Sequence, residues 1–530
     1  MRIGGRWPVA GGRWPVAAGE RIMSGNYVGD LVEVFARDPA RTVLWWQENA
    51  ISAGELVAAI GRAAHGMRAR VRGPAVVGLL TTTNTPDTVV LRYAANLIGV
   101  TVVHLQTANA VDPLDRIDVG ALQDTARLDL LAVDADHLAA ARALCGKPAE
   151  PPGLVALGKL GDDVLDLSAG PDRFELSAGP DGWPVAEDVD PEQPATVTYT
   201  SGTTGTPKGV AMSFGVRRMV LSGLPADLDT VYLSTLPLSH SSGAIVDLVL
   251  GAGGSVVLEP GFDPTAALAA VARHGVTRMA VSPPQLYALL EHPDVRTTDL
   301  TSLRTLTYAG CPAAPARLAE AVRVFGDVLV QAYGTSEVGP ITELAPADHR
   351  DAGLLATAGR PVIGEVEVRD PLSARRLPIG EVGEVRVRSP LVMLGYWHDP
   401  ELTASAFDSD GWLRTGDLGR FDERGYLTLS GRMSDVIKTR GVRVHPVAVE
   451  NALLAHPDVR QAAVFRVTDE NRVERTCAVV VPRAGSGVTP TELIRHVGEA
   501  LSPSHAPADV RFRAELPLDK AGKPDRKVLR

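Results

Sequence analysis

From about Tyr27 onward, short apolar runs alternate with helical stretches. Ala75 to Leu80 reads as a strand, Asp87 to Ile98 as a helix and Thr101 to Leu105 as a strand again. A further strand-like run, Ala195 to Tyr199, precedes a glycine-rich turn, and the rhythm resumes with Val256–Leu258, Arg278–Val281, Thr305–Tyr308 and Val328–Ala332. Strands interleaved with helices predict an α/β fold. From Gly380 the pattern turns β-rich, with Glu384–Arg388 and Tyr426–Ser430 as strands. The tail has its own mixture: strands near Ala462–Val467 and Cys477–Val481, and a helix near Pro490–Leu501. It is the size of a small independent domain. The change of pattern at Gly431–Asp435 predicts a large domain over 23–433 and a small one over 434–530.

Two repeats fall outside this rhythm. G-G-R-W-P-V-A occurs at Gly4–Ala10 and again at Gly11–Ala17, with no apolar signal-peptide core after it, so 1–22 are expected to stand outside the fold. L-S-A-G-P-D occurs at Leu167–Asp172 and Leu176–Asp181 and reads as a surface loop.

The chain has 530 residues, too many for one compact core. Hydrophobic residues make up 45% and charged residues 22%, as in ordinary globular proteins. A net charge of −10 leaves no electrostatic footprint for nucleic acid, so a polyanionic substrate needs a locally positive site. Cys145, Cys311 and Cys477 are too scattered for a disulfide framework or a metal site, which fits a reducing cytoplasm. No apolar run is long enough to span a membrane.

The chemistry concentrates at Tyr199–Val210, Y-T-S-G-T-T-G-T-P-K-G-V. Glycines allow tight turning and close approach to a ligand. Successive N–H groups in such a turn form an anion nest, and the hydroxyls of Thr200, Ser201, Thr203 and Thr204 add donors beside Gly202. Lys208 adds a positive point charge. The spacing is not that of a Walker A loop. The order of residues resembles the phosphate loop of the adenylate-forming enzymes, which include acyl- and aryl-CoA synthetases, peptide-synthetase adenylation domains and luciferases.

Further segments resemble that family in its order along nearly the whole chain. L-P-L-S-H-S-S-G at Leu236–Gly243 is similar to the segment lining the acyl pocket, which implies that His240 and Ser241 contact the acid, together with Gly334. Tyr308–Pro312 is similar to the segment that borders adenine, implying contacts from Gly310, Cys311 and Pro312, with Cys311 a small packing residue. Q-A-Y-G-T-S-E at Gln331–Glu337 implies that Tyr333 stacks on adenine, that Gly334, Thr335 and Ser336 border the nucleotide, and that Glu337, with Thr204, holds Mg²⁺. A hard cation suits carboxylate oxygen shared with phosphates. G-W-L-R-T-G-D at Gly411–Asp417 implies that Asp417 binds the ribose hydroxyls, and Ser430–Lys438 implies a ribose and phosphate contact from Arg432. Pro517–Lys527 is similar to the C-terminal catalytic-lysine motif, with Lys523 as the lysine and Asp519 in place of the usual threonine. Ser434 stands at the family's hinge, where Asp or Lys is usual.

The resemblance implies a large multi-layer domain, two α/β sheets plus a distorted β-barrel, carrying a small mobile α+β domain. It implies ATP- and Mg²⁺-dependent attack of an acid on the α-phosphorus, with Lys208, His240, Glu337 and Lys523 as the catalytic group. Transfer to a thiol follows, with Arg440 and Gly441 in the thiol channel. Ser241 stands where amino-acid activators carry an aspartate, so an acyl or aryl acid without a free α-amino group is expected. The acceptor is expected to be CoA. A carrier-protein thiol, an amine, and diazotisation by activated nitrous acid remain alternatives, because Thr439–Val444 and Val102–Thr107 depart from the CoA-ligase pattern; a non-catalytic nucleotide-binding relative remains one because of the Asp519 and Ser434 departures. No G-x-S-x-G elbow of a serine hydrolase is present.

Overall fold

The computed structural model describes residues 25–71, 74–105, 127–146, 151–168, 185–186, 189–200, 207–439, 442–468, 473–518 and 522–529. Both internal repeats fall wholly or mostly outside them, as do Ser201, Gly202, Thr203, Thr204, Arg440, Gly441 and Asp519.

Two large sheets carry the bigger domain. One has nine strands; its parallel middle runs through Val231–Ser234, Arg278–Val281, Thr305–Ala309 and Leu329–Thr335. The other has eight, with Val76–Leu80, Thr101–His104 and Pro194–Thr200 parallel at its centre. The largest apolar cluster draws on both sheets, Val77 and Val102 from one and Tyr232 and Val256 from the other, with Leu91 and Val246 from helices. Parallel sheets covered on both faces need such continuous apolar runs, which is why these strands were legible. The β-rich stretch is a four-stranded antiparallel sheet of Glu365–Arg369, Gly383–Arg388, Leu413–Phe421 and Leu427–Arg432.

Helix starts follow local chemistry. Thr85 caps Pro86–Leu97, and Asp263 caps Pro264–His274; each side chain accepts a backbone N–H, with proline in the first turn. Ser282 and Gln285 form a capping box at the start of Pro283–Glu291.

After Leu427–Arg432 a short 3₁₀ turn, Met433–Asp435, leads into the hairpin Ile437–Thr439 with Val442–Val444. The smaller domain is then a three-stranded sheet of Val459–Thr468, Glu474–Pro482 and Asp509–Phe512. Pro446–Leu454 and Pro490–Ala500 pack on it around Val449, Leu453, Leu493 and Val497.

Candidate functional site

One cavity of about 2030 Å³ is lined by the larger domain and by Lys523 of the smaller one. It gathers Thr200, Lys208, His240, Ser241, Gly310, Cys311, Pro312, Tyr333, Gly334, Thr335, Ser336, Glu337, Asp417 and Arg432. Every site residue expected from sequence that falls within the described residues is therefore at one place.

Thr200 and Lys208 are register partners across the hairpin of Pro194–Thr200 and Lys208–Ser213, so they stand at the two feet of the hydroxyl-rich loop. The Lys208 ammonium lies 5.3 Å from the centre of the Tyr396 ring. Tyr396 donates from its hydroxyl to Glu337 Oε1 at 2.9 Å, fixing the carboxylate from one side. Met393 N–H donates to the Glu337 carbonyl at 2.7 Å. Tyr396 was not singled out in the sequence. It sits 59 residues from Glu337, and no local pattern announces such a contact.

Asp417 is buried, accepting from the Tyr333 hydroxyl at 2.8 Å and ion-paired with Arg432 at 3.2 Å. Loss of water raises its carboxyl above the usual range, while Arg432 and Tyr333 oppose that rise. Burial and Asp417 together drive the Tyr333 phenol well upward, so it remains a donor. The Thr335 hydroxyl and Gln331 Oε1 are buried with no hydrogen-bond partner among the described residues. A buried orphan of that kind is expected where a ligand completes the set.

His240 stands just before the helix Ser241–Gly251, its ring Nδ1 2.9 Å from the Ser239 hydroxyl. Burial, helped by the charge of Lys523, lowers it to about 4, so the imidazole is neutral at pH 7.

Lys523 is delivered by a tight loop of the small domain. Leu518 and Pro524 bridge across it, and Asp525 N–H donates to the Pro517 carbonyl at 2.8 Å. Its preceding residue docks on the capping box: the Ser282 hydroxyl donates to the Gly522 carbonyl at 2.8 Å. Gly522 has φ +73, and a Cβ there would lie 2.5 Å from Ser282 Oγ and 2.7 Å from the Gln285 amide. Gly310, at φ +93, would place a Cβ 2.8 Å from Lys523 Cε. Glycine is thus required on both sides of the lysine. Away from the cavity, Glu291 ties the domains by pairing with Arg460 of the small domain and, at 2.6 Å, with Arg317.

Two features of the cavity were absent from the sequence reading. Buried Arg92 and Tyr93 and half-buried Arg217 surround Asp247, with Tyr93 donating to it at 2.7 Å and Arg217 3.3 Å away. The second is Glu343, 7% exposed, whose Oε2 has no hydrogen-bond partner among the described residues. Burial alone pushes its carboxyl up to about 8. A raised carboxyl pKa means the folded state holds a proton that the unfolded chain has released, so stability falls as pH rises from about 4.5 to 8. Glu343→Gln should therefore raise the melting temperature. The gain should be larger at pH 8 than at pH 6, by about 2 kcal/mol. Equal gains at both pH values in thermal unfolding would show that the carboxyl is not held neutral.

Comparison with known proteins points to one family along the chain. The model of the AMP-binding enzyme family matches residues 31–397, and that of the AMP-binding enzyme C-terminal domain matches 448–523. Medium/long-chain-fatty-acid–CoA ligase FadD8 of Mycobacterium tuberculosis is 32% identical over 97% of this chain and 91% of its own length. Among solved structures, amide bond synthetase McbA from Marinactinospora thermotolerans is 34% identical, with a TM-score of 0.81 over 95% of this chain and 99% of that one. ATP-bound MatB from Rhodopseudomonas palustris is 27% identical, with a TM-score of 0.81 over 94% and 98%.

Proposed function

The chain belongs to the AMP-binding enzyme family, whose adenylate-forming chemistry activates acids, and from that premise we propose that it joins an acyl or aryl carboxylic acid to the thiol of CoA. The observation that carries the first step is the delivery of Lys523 into the cavity that also holds Tyr333, Glu337, His240 and Asp417. An acid oxygen attacks the α-phosphorus of ATP, the bond to the bridging oxygen breaks, and pyrophosphate leaves. The thiol then attacks the acyl carbon and AMP leaves.

Such a transfer needs positioning and charge neutralisation more than covalent help. Tyr333 and Asp417, already bonded to each other, hold adenosine between ring and carboxylate. Glu337, braced by Tyr396, would hold Mg²⁺ together with the substrate phosphates; one carboxylate suits that ion, which otherwise keeps water and phosphate ligands and supplies charge neutralisation. Thr204 is proposed to join it. The neutral His240 orients the acid without competing for the phosphates, alongside Ser241 and Gly334. Lys523 neutralises charge on the attacking and α-phosphate oxygens, and Lys208 with Thr200 and the loop Ser201–Thr204 cradles the outer phosphates. Gly310, Cys311, Pro312, Thr335, Ser336 and Arg432 border the nucleotide. The domains are proposed to meet at 433–434, with Ser434 at the hinge and Arg440 and Gly441 facing the thiol in the second step.

A second reading, transfer of the acyl group to an amine, is favoured by the 34% identity to an amide bond synthetase over nearly its whole length. ATP–pyrophosphate exchange over a panel of acyl, aryl and amino acids tests the first step. Mass-spectrometric product analysis with CoA, amines and nitrite tests the second. Formation of ADP and phosphate, or selective exchange with one proteinogenic amino acid, would overturn the proposal.

A further inference from the structure

The nine-stranded sheet presents its two faces differently to the molecule. Leu306, Tyr308 and Leu329 turn into an apolar cluster with Leu286, Leu318 and Ala321 of the covering helices. Alternation sends Thr307, Ala309 and Ala332 to the opposite face, where all three line the cavity. Register places Ala309, Ala332 and Glu343 side by side across three neighbouring strands. The side chains at the first two positions are methyl groups, which leaves a slot above the sheet that ends at the Glu343 carboxyl. Two strand spacings, about 10 Å, separate Ala309 from Glu343. That is the length of a substituted aromatic ring.

The carboxyl is held there. Gly359, at φ +81, packs so closely that a Cβ on it would stand 1.9 Å from the Glu343 carbonyl, which fixes the backbone of this strand. The side chain makes no ion pair or hydrogen bond among the described residues, and burial keeps it protonated near neutral pH. A buried polar group without a partner costs free energy that a structural role does not repay. At the edge of a substrate cavity a ligand can supply the partner.

We propose that Glu343 is a specificity-determining residue that receives an N–H or O–H group borne by the ring or chain of the acid substrate, at the end away from its carboxylate. The inference rests on the reading of this cavity as an acid-activating site. The acid lies with its carboxylate toward His240 and Lys523 and its donor group toward Glu343, whose carbonyl-type oxygen accepts the hydrogen bond. A negative group at that end is disfavoured, since it would meet an acidic side chain in a water-poor slot.

Matched pairs of acids test it: indole-3-carboxylate against benzothiophene-3-carboxylate, 4-aminobenzoate against 4-methylbenzoate, and 4-hydroxycinnamate against 4-methylcinnamate. Affinity is measured by calorimetry on the whole protein without nucleotide, and activation by pyrophosphate exchange. The wild type should favour the donor-bearing member of at least one pair by about tenfold or more. Glu343→Leu should bring that ratio near one, while Glu343→Gln keeps part of it. Should Glu343→Leu fail to fold, Ala332→Val, which narrows the slot beside the carboxyl, should lower the ratio instead. Equal treatment of every pair by the wild type, no binding of any of these acids, or a ratio unchanged in the variants overturns the proposal. So does a uniform loss for all acids with weakened ATP binding, which would assign Glu343 to adenine. Pair discrimination in calorimetry with no exchange for any acid would leave Glu343 its role and overturn the adenylation reading.

Discussion

Lys523→Ala should lose pyrophosphate exchange by a factor of about 10² or more, the usual cost of removing one charge contact from such a transition state. It should still convert a supplied acyl-adenylate to the final product. Lys523 reaches the cavity only because the small domain is docked as observed, beside Gly310 and close enough to help keep His240 neutral. Transfer from a preformed adenylate is proposed to use another face of that domain, around Arg440 and Gly441. Both half-reactions are measured separately, with circular dichroism confirming the fold. Equal loss of the two steps would mean that a single arrangement serves both.

Gly522→Val should reproduce the same selective loss without touching the lysine. Any side chain at position 522 meets Ser282 Oγ at 2.5 Å and Gln285 at 2.7 Å, and the backbone there is left-handed at φ +73. A β-branched residue in that conformation is strained by about 1–3 kcal/mol before the clash is counted. The capping box cannot yield cheaply, because Ser282 and Gln285 satisfy one another at the start of their helix. The loop must therefore lift and take Lys523 with it. The expected result is exchange reduced about 10²-fold with the melting temperature little changed, since Gly522 lies in a loop docked on Ser282 rather than in the apolar core of either domain. Exchange at the wild-type rate would show that Lys523 reaches the phosphates by another path.

Much of this site could be read from the chain. Gln331–Glu337 and Gly411–Asp417 each lie within or against a strand, so a short segment carries both the fold signal and the chemistry. The apolar runs of the central parallel strands Val76–Leu80 and Thr101–His104 were legible for the same reason: they are buried at nearly every position and need no long-range information to be recognised. The strand limits shifted by one to three residues, Leu329–Thr335 against the expected Val328–Ala332, because hydrogen-bonded partners rather than side chains end a strand.

The sequence by itself thus determined the α/β architecture, the family and many, though not all, of the residues that gather at the cavity. All of these rest on local order and periodicity. The tertiary structure alone decided which side chains meet. Tyr396 braces Glu337 from 59 residues away, and Gly522 docks on Ser282 across 240. Glu343 enters the cavity because strand register sets it beside Ala332 and Ala309. Register is fixed by pairing between distant segments and by which face of the sheet is buried, and a one-residue slip would turn Glu343 away. No window of the chain contains that information, since it belongs to the packing of the whole domain.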